Sequence, residues 1–199
     1  MSGNSQPTRT TFRDVMNVPN QITSARLLLS VVLFVFLAYE WYLTGFVLFI
    51  VAASTDWIDG YWARKYGQVT ILGRILDPFA DKMIICGTFI FLAAVPESGV
   101  RAWVAAVIMG RELLVTALRS FLEERGSDFS ASMAGKWKMV VQCIAIGFSL
   151  FRLSYVGTPD TTPPDWMVNG LDAFVWAAVV LTVYSGIEYI FAAIRLMRE

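Results

Sequence analysis

Histidine is absent from this 199-residue chain, and cysteine occurs only twice, at Cys86 and Cys143. Imidazole therefore supplies neither a general base nor a metal ligand. The cysteines fall in different apolar stretches with no CxxC or other metal-ligand spacing, so both read as small buried hydrophobes. Charge is scarce as well. Asp, Glu, Lys and Arg make up 16% of the chain, against about 25% in a typical soluble domain. Sixteen Lys and Arg balance sixteen Asp and Glu, so net charge points to no partner, and no nucleic-acid partner is expected. There is no internal repeat and no low-complexity tract. The N-terminal MSGNSQPTRTTFRD is polar, with no apolar core leading to a cleavage site, so no secretory signal is expected.

What fills the chain is apolar: 56% of residues, with a mean hydropathy of +0.57. Six stretches are candidate membrane spans: 22–42, 43–65, 71–95, 100–122, 137–157 and 167–194. Each can cover a hydrocarbon core about 30 Å thick at about 1.5 Å per helical residue. The expected fold is all-α, one six-helix transmembrane domain over residues 16–199 behind a flexible polar start at 1–15. An even number of spans puts both termini on one side. That side collects Arg9, Arg13, Arg64, Lys65, Arg74, Arg125, Lys136, Lys138, Arg195 and Arg198, while the other has Arg101 and Arg152. The positive-inside bias makes the first side cytoplasmic, in the inner membrane of a cell.

Against this background, the stretch DWIDGYWARKYGQVTILGRILDPFAD, Asp56 to Asp81, carries four aspartates in or beside apolar helices. An ionised carboxylate at the centre of a membrane helix costs about 2.5–3.5 kcal/mol, so a cationic partner is required. Asp56 and Asp59 are three apart and Asp77 and Asp81 four apart, which puts each pair on one helical face. If Lys65 to Thr70 reverses the chain, spans two and three run antiparallel as neighbours and their carboxylate faces meet. Oxygen donors without His or Cys suit hard cations such as Mg²⁺, Mn²⁺ or Ca²⁺, and four carboxylates can balance two divalent ions. Two alternatives stay open. The acids can pair statically with Arg64, Arg74 and Lys82, or they can line a cation route, as in a divalent-cation transporter.

These residues resemble the CDP-alcohol phosphotransferase family, whose signature is D-x2-D-G-x2-A-R-x8-G-x3-D-x3-D. Asp56, Asp59, Gly60, Ala63, Arg64, Gly73, Asp77 and Asp81 fill it with every spacing intact. NVPNQITSARL, GRELLVTALRSFLEERG and SASMAGKWKMVVQ extend the likeness to the phosphatidylglycerophosphate synthase branch. The resemblance implies a homodimer of six-helix subunits that displaces CMP from CDP-diacylglycerol. It implies that Asp56, Asp59, Asp77 and Asp81 hold two divalent ions, Mg²⁺ or Mn²⁺, with Asp81 also the base. Thr55, Asp59, Gly60, Ala63, Arg64 and Gly73 would contact the CDP portion. The lack of histidine agrees, since the base for an alcohol hydroxyl must then be a carboxylate or, less simply, Lys or Tyr.

The second substrate is read from cations inside apolar spans. Arg111 and Arg119 are eight apart and share a face, with Glu112 beside the first; Lys136, Arg26 and Thr23 lie at neighbouring span ends. If these ends converge they form a basic pocket that selects a phosphate-bearing alcohol, and glycerol 3-phosphate fits. The alternative for Arg119 and Lys136 is snorkelling to lipid headgroups. Within the family, inositol phosphate, serine or phosphatidylglycerol are the rival acceptors.

Overall fold

The computed structural model describes residues 18–66, 71–124, 133–155 and 162–198. Within those, the side chains of 18–20, 22, 55–66, 71–78, 123–124, 134 and 197–198 are outside the description. The polar start at 1–15 is outside it too. Among the described residues there are six α-helices: α1 Val18–Ala38, α2 Tyr42–Tyr66, α3 Ile71–Ala93, α4 Ala102–Glu124, α5 Met133–Leu153 and α6 Asp165–Arg198. Each expected span coincides with one of them, with ends shifted by a few residues.

The turns follow from local chemistry. After α1, Glu40 adopts a left-handed conformation (φ 61°). Trp41 N–H then donates to Phe36 C=O at 2.9 Å and Glu40 N–H to Leu37 C=O at 3.1 Å. This double bond pattern satisfies carbonyls the helix leaves open and reverses the chain in three residues. Between α3 and α4, a 3₁₀ turn at Pro96–Ser98 ends on left-handed Gly99 (φ 75°). The Ser149 hydroxyl of α5 donates to Ser98 C=O at 2.7 Å, tying this loop to the bundle.

The helices close into a ring. α1 packs on α2 and α3, α3 on α4, α4 on α6, α6 on α5, and α5 back on α2, with α3 and α5 also touching across the middle. Leu33, Phe49, Phe89, Ile108, Ile146 and Leu171 are fully buried inside it. The short connection at 67–70 predicts α2 and α3 as direct neighbours. Over the described residues α1 stands between them, and they meet only sparsely. Small residues explain the wedge. At Gly45 of α2 an added Cβ would sit 2.7 Å from Leu37, and at Gly87 of α3 one would sit 2.2 Å from the Phe34 ring. Both glycines thus let α1 side chains press close to a neighbouring backbone. Phe34 is stacked in turn on Phe91, with ring centroids 5.2 Å apart.

Large apolar side chains also cover the outside, from Leu28 and Val31 on α1 to Val180, Ile187 and Phe191 on α6. Among the described residues α6 alone is long and apolar enough by composition to cross a membrane, over Asp165–Leu196. Apolar stretches in α1 and α2, Thr23–Ala38 and Tyr42–Ser54, are shorter. Charged side chains built into α2 to α5 interrupt their apolar runs.

Candidate active site

Most of the described charges of α3, α4 and α5 gather. A cavity of about 300 Å³ opens between α3, α4, α5 and α6, with Asp81, Lys82, Arg111, Glu112, Arg119, Lys136, Lys138, Gln142 and Tyr189 among its lining side chains. Five cations face two carboxylates there, a net of three positive charges. Helical spacing explains the lining. On α5, Gly135, Lys138, Met139 and Gln142 follow the i, i+3, i+4, i+7 rhythm of one face. On α4, Arg111 and Arg119 lie two turns apart. A larger cavity of about 410 Å³, bordered by Phe46, Phe148, Phe151 and Met167, is almost wholly apolar and carries no acid or base.

Asp81 sits at one wall of the charged cavity. Arg26 of α1, nearly inaccessible at 3%, donates from Nη1 to Asp81 Oδ1 at 2.5 Å. Asp81 stays 35% exposed, so the pair fixes the carboxylate without sealing it. The Arg26 carbonyl accepts from the Ser30 hydroxyl at 2.9 Å. Arg26 and Thr23 are buried in α1 and are not among the cavity's lining residues. The sequence suggests Arg26 for the acceptor pocket; in the structure it meets the candidate base, Asp81.

Glu112 organises the opposite wall. It accepts from the Lys138 ammonium and, at 3.3 Å, from Arg111 Nη1. Its backbone carbonyl accepts from the Thr116 hydroxyl at 2.7 Å, and Thr116 Oγ1 accepts from Lys82. Lys138 and Glu112 side chains are 6% and 15% exposed. Charges this buried persist only when paired and hydrogen-bonded. Arg119 Nη2 donates to Tyr189 Oη at 3.0 Å, so Arg119 turns inward onto α6. Gln142 donates to Thr182 Oγ1 at 3.0 Å, joining α5 to α6 beneath the cavity.

Arg111, Glu112, Arg119 and Lys136 are thus brought together, beside Asp81, as the sequence anticipated. Lys138 and Tyr189 had not been assigned to this pocket. Lys138 reads from sequence as one more charge near a span end, and nothing in the spacing of Tyr189 on the last span singles it out. Asp56, Asp59, Gly60, Ala63 and Arg64 lie within α2, with Thr55, and Gly73 and Asp77 lie within α3. Their side chains are outside the described residues. Unbroken helix through both segments does keep Asp56 with Asp59, and Asp77 with Asp81, on common faces. Of these carboxylates Asp81 is the one whose side chain is described, 35% exposed, and a carboxylate oxygen suits a hard divalent cation.

A profile of the CDP-alcohol phosphatidyltransferase family matches residues 16–184. The chain belongs to this family. Curated relatives agree with that placement. One from Bacillus subtilis (strain 168) is 37% identical over 193 residues, covering 88% of this chain and 94% of the relative. One from Pseudomonas fluorescens is 37% identical over 190 residues, covering 89% and 90%. One from Escherichia coli (strain K12) is 34% identical over 185 residues, covering 89% and 94%. Each is named CDP-diacylglycerol–glycerol-3-phosphate 3-phosphatidyltransferase. The match runs from α1 into α6 as far as residue 184, so Asp81 and the five cations lie inside the family region and Tyr189 lies beyond it.

Proposed function

We propose that this protein transfers the phosphatidyl group of CDP-diacylglycerol to glycerol 3-phosphate, releasing phosphatidylglycerophosphate and CMP. The observation that carries the reading is the cavity that sets Asp81 beside five cations. A net positive pocket favours a phosphate dianion over a neutral alcohol. Arg111, Arg119 and Lys136 take the acceptor's phosphate, and its hydroxyl then faces Asp81. Asp81 accepts the hydroxyl proton as the oxygen bonds to the lipid-side phosphorus and the bond to CMP breaks. Arg26 holds the carboxylate in place for this. Asp56, Asp59, Asp77 and Asp81 are the residues that would hold two divalent ions, Mg²⁺ or Mn²⁺, whose chemistry is to neutralise the diphosphate and stabilise departing CMP. Thr55, Asp59, Gly60, Ala63, Arg64 and Gly73 line the CDP portion in this reading.

Residues 16–199 act as one catalytic domain in the proposal. Its six helices cross the inner membrane, with termini and site on the cytoplasmic side, and subunits pair as a homodimer. The apolar side chains exposed on the helices support membrane burial.

An acceptor panel tests the substrate assignment. With CDP-diacylglycerol fixed, CMP release is expected with glycerol 3-phosphate and not with glycerol, serine or inositol phosphate. Arg119→Ala should raise the KM for glycerol 3-phosphate about 10- to 100-fold, the worth of one charge-assisted hydrogen bond. Equal use of glycerol by the wild-type enzyme would overturn the phosphate-selecting pocket.

A further inference from the structure

Arg111 and Arg119 present a difficulty of their own. They lie about 12 Å apart along α4, carry the same charge, and have long stems that can swing toward lipid headgroups. Flexible cations bind phosphate poorly unless something aims them. Of these two arginines Glu112 reaches only Arg111, at Nη1, 3.3 Å away.

The facing helix resolves this. The Arg111 guanidinium carbon lies 5.3 Å from the centroid of the Tyr189 ring, and that of Arg119 lies 5.9 Å from the same centroid. The Tyr189 hydroxyl also accepts from Arg119 Nη2 at 3.0 Å. Tyr189 is 3% exposed, so the ring acts on both cations away from solvent. One turn earlier on α6, a Cβ added at Gly186 would lie 3.2 Å from Arg111 Cγ. Gly186 is thus where the Arg111 stem lies against the α6 backbone. The Nε atoms of Arg111 and Arg119 are buried without a hydrogen-bond partner among the described residues. Buried donors of this kind call for a partner, and an acceptor phosphate supplies one.

We infer that α6 provides a seat, Gly186 and Tyr189, that aims Arg111 and Arg119 together at the acceptor's phosphate, making Tyr189 a positioning residue for acceptor affinity. This rests on the reading that the cavity takes a phosphorylated alcohol. A ring that holds both guanidiniums restricts their rotamers before substrate arrives, so less freedom is lost on binding. In the proposed reading α2 and α3 hold the CDP portion of the lipid substrate, so its affinity is expected to be independent of the seat.

The test is steady-state CMP release by the full-length protein in phospholipid–detergent micelles, varying each substrate in turn. Tyr189→Phe keeps the ring and loses the hydroxyl contact; it should raise the KM for glycerol 3-phosphate about three- to tenfold. Tyr189→Leu loses both and should raise it about 10- to 100-fold. In either variant kcat and the KM for CDP-diacylglycerol should stay within about twofold of wild type, a separation that simple misfolding does not produce. In an Arg119→Ala background, Tyr189→Leu should cost less than it does alone, because one of its two clients is gone. Gly186→Ala, which displaces only the Arg111 stem, should raise acceptor KM a few-fold and serves if Tyr189→Leu does not fold. Parallel loss of affinity for both substrates, or a fall in kcat with acceptor KM unchanged, would overturn the seat while leaving the wild-type reaction standing. A wild-type enzyme that ignores glycerol 3-phosphate would overturn the reading beneath it, and the seat with it.

Discussion

Asp81→Asn is expected to lower CMP release about 10²- to 10⁴-fold at saturating substrates, the usual contribution of a positioned general base. Asparagine is nearly isosteric and keeps an oxygen to accept from Arg26, so the bundle should survive. What it lacks is a basic oxygen to take the hydroxyl proton and a negative charge to contribute to a metal site. The companion variant Arg26→Ala separates position from chemistry. It leaves the carboxylate but removes the guanidinium held 2.5 Å from it. The rate should fall by less than for Asp81→Asn, because the base is still present but no longer oriented. The measurement is the initial rate of CMP release from purified protein with a matched thermal midpoint. An Asp81→Asn enzyme retaining more than about a tenth of wild-type rate would remove Asp81 as base, since a base contributes at least about a hundredfold.

Glu112→Ala is expected to be the most destabilising single change on the cationic wall. Glu112 is the carboxylate bonded to both Lys138 and Arg111. Removing one partner of a buried ion pair leaves the other charged and desolvated, at a cost of about 3–5 kcal/mol. Thermal unfolding in micelles should therefore show a marked drop in midpoint. Replacing both partners tests the cause: Glu112→Ala with Lys138→Met removes the stranded ammonium and should restore much of the stability. Acceptor affinity should remain weak in that double variant, because Arg111 has lost one of its anchors. A double variant no more stable than Glu112→Ala alone would mean that the pairing is not what holds this wall together.

Much of this was legible in the chain itself. Apolar runs of about twenty residues located all six helices, because burial on one side and apolar exposure on the other leave few polar positions along each. The aspartate spacings were legible because helix geometry alone puts residues three and four apart on one face. Arg111 and Arg119 stood out because a charge inside an apolar helix needs a reason, and their eight-residue separation aligned them. What could not be read were contacts that depend on packing between distant helices. Arg26 and Asp81 are 55 positions apart, and Arg119 and Tyr189 are 70 apart. Lys138 reaches Glu112 across 26 positions and had looked like one more basic residue at a helix end. The insertion of α1 between α2 and α3 was hidden for the same reason. A short connection points to α2 and α3 as neighbours, and over the described residues the fit of Leu37 against Gly45 and Phe34 against Gly87 places α1 against both of them.

In the proposed reaction one protein joins an activated lipid to a phosphorylated alcohol at the wall where Asp81 meets five cations. The most direct measurement is CMP release by the purified chain in micelles, with CDP-diacylglycerol and glycerol 3-phosphate supplied singly and together, before and after chelation. CMP should appear only with both substrates, stop when divalent ions are removed, and return when Mg²⁺ or Mn²⁺ is added back. CMP formed at the same rate without glycerol 3-phosphate, or no CMP from folded protein with both substrates and either metal, would contradict it.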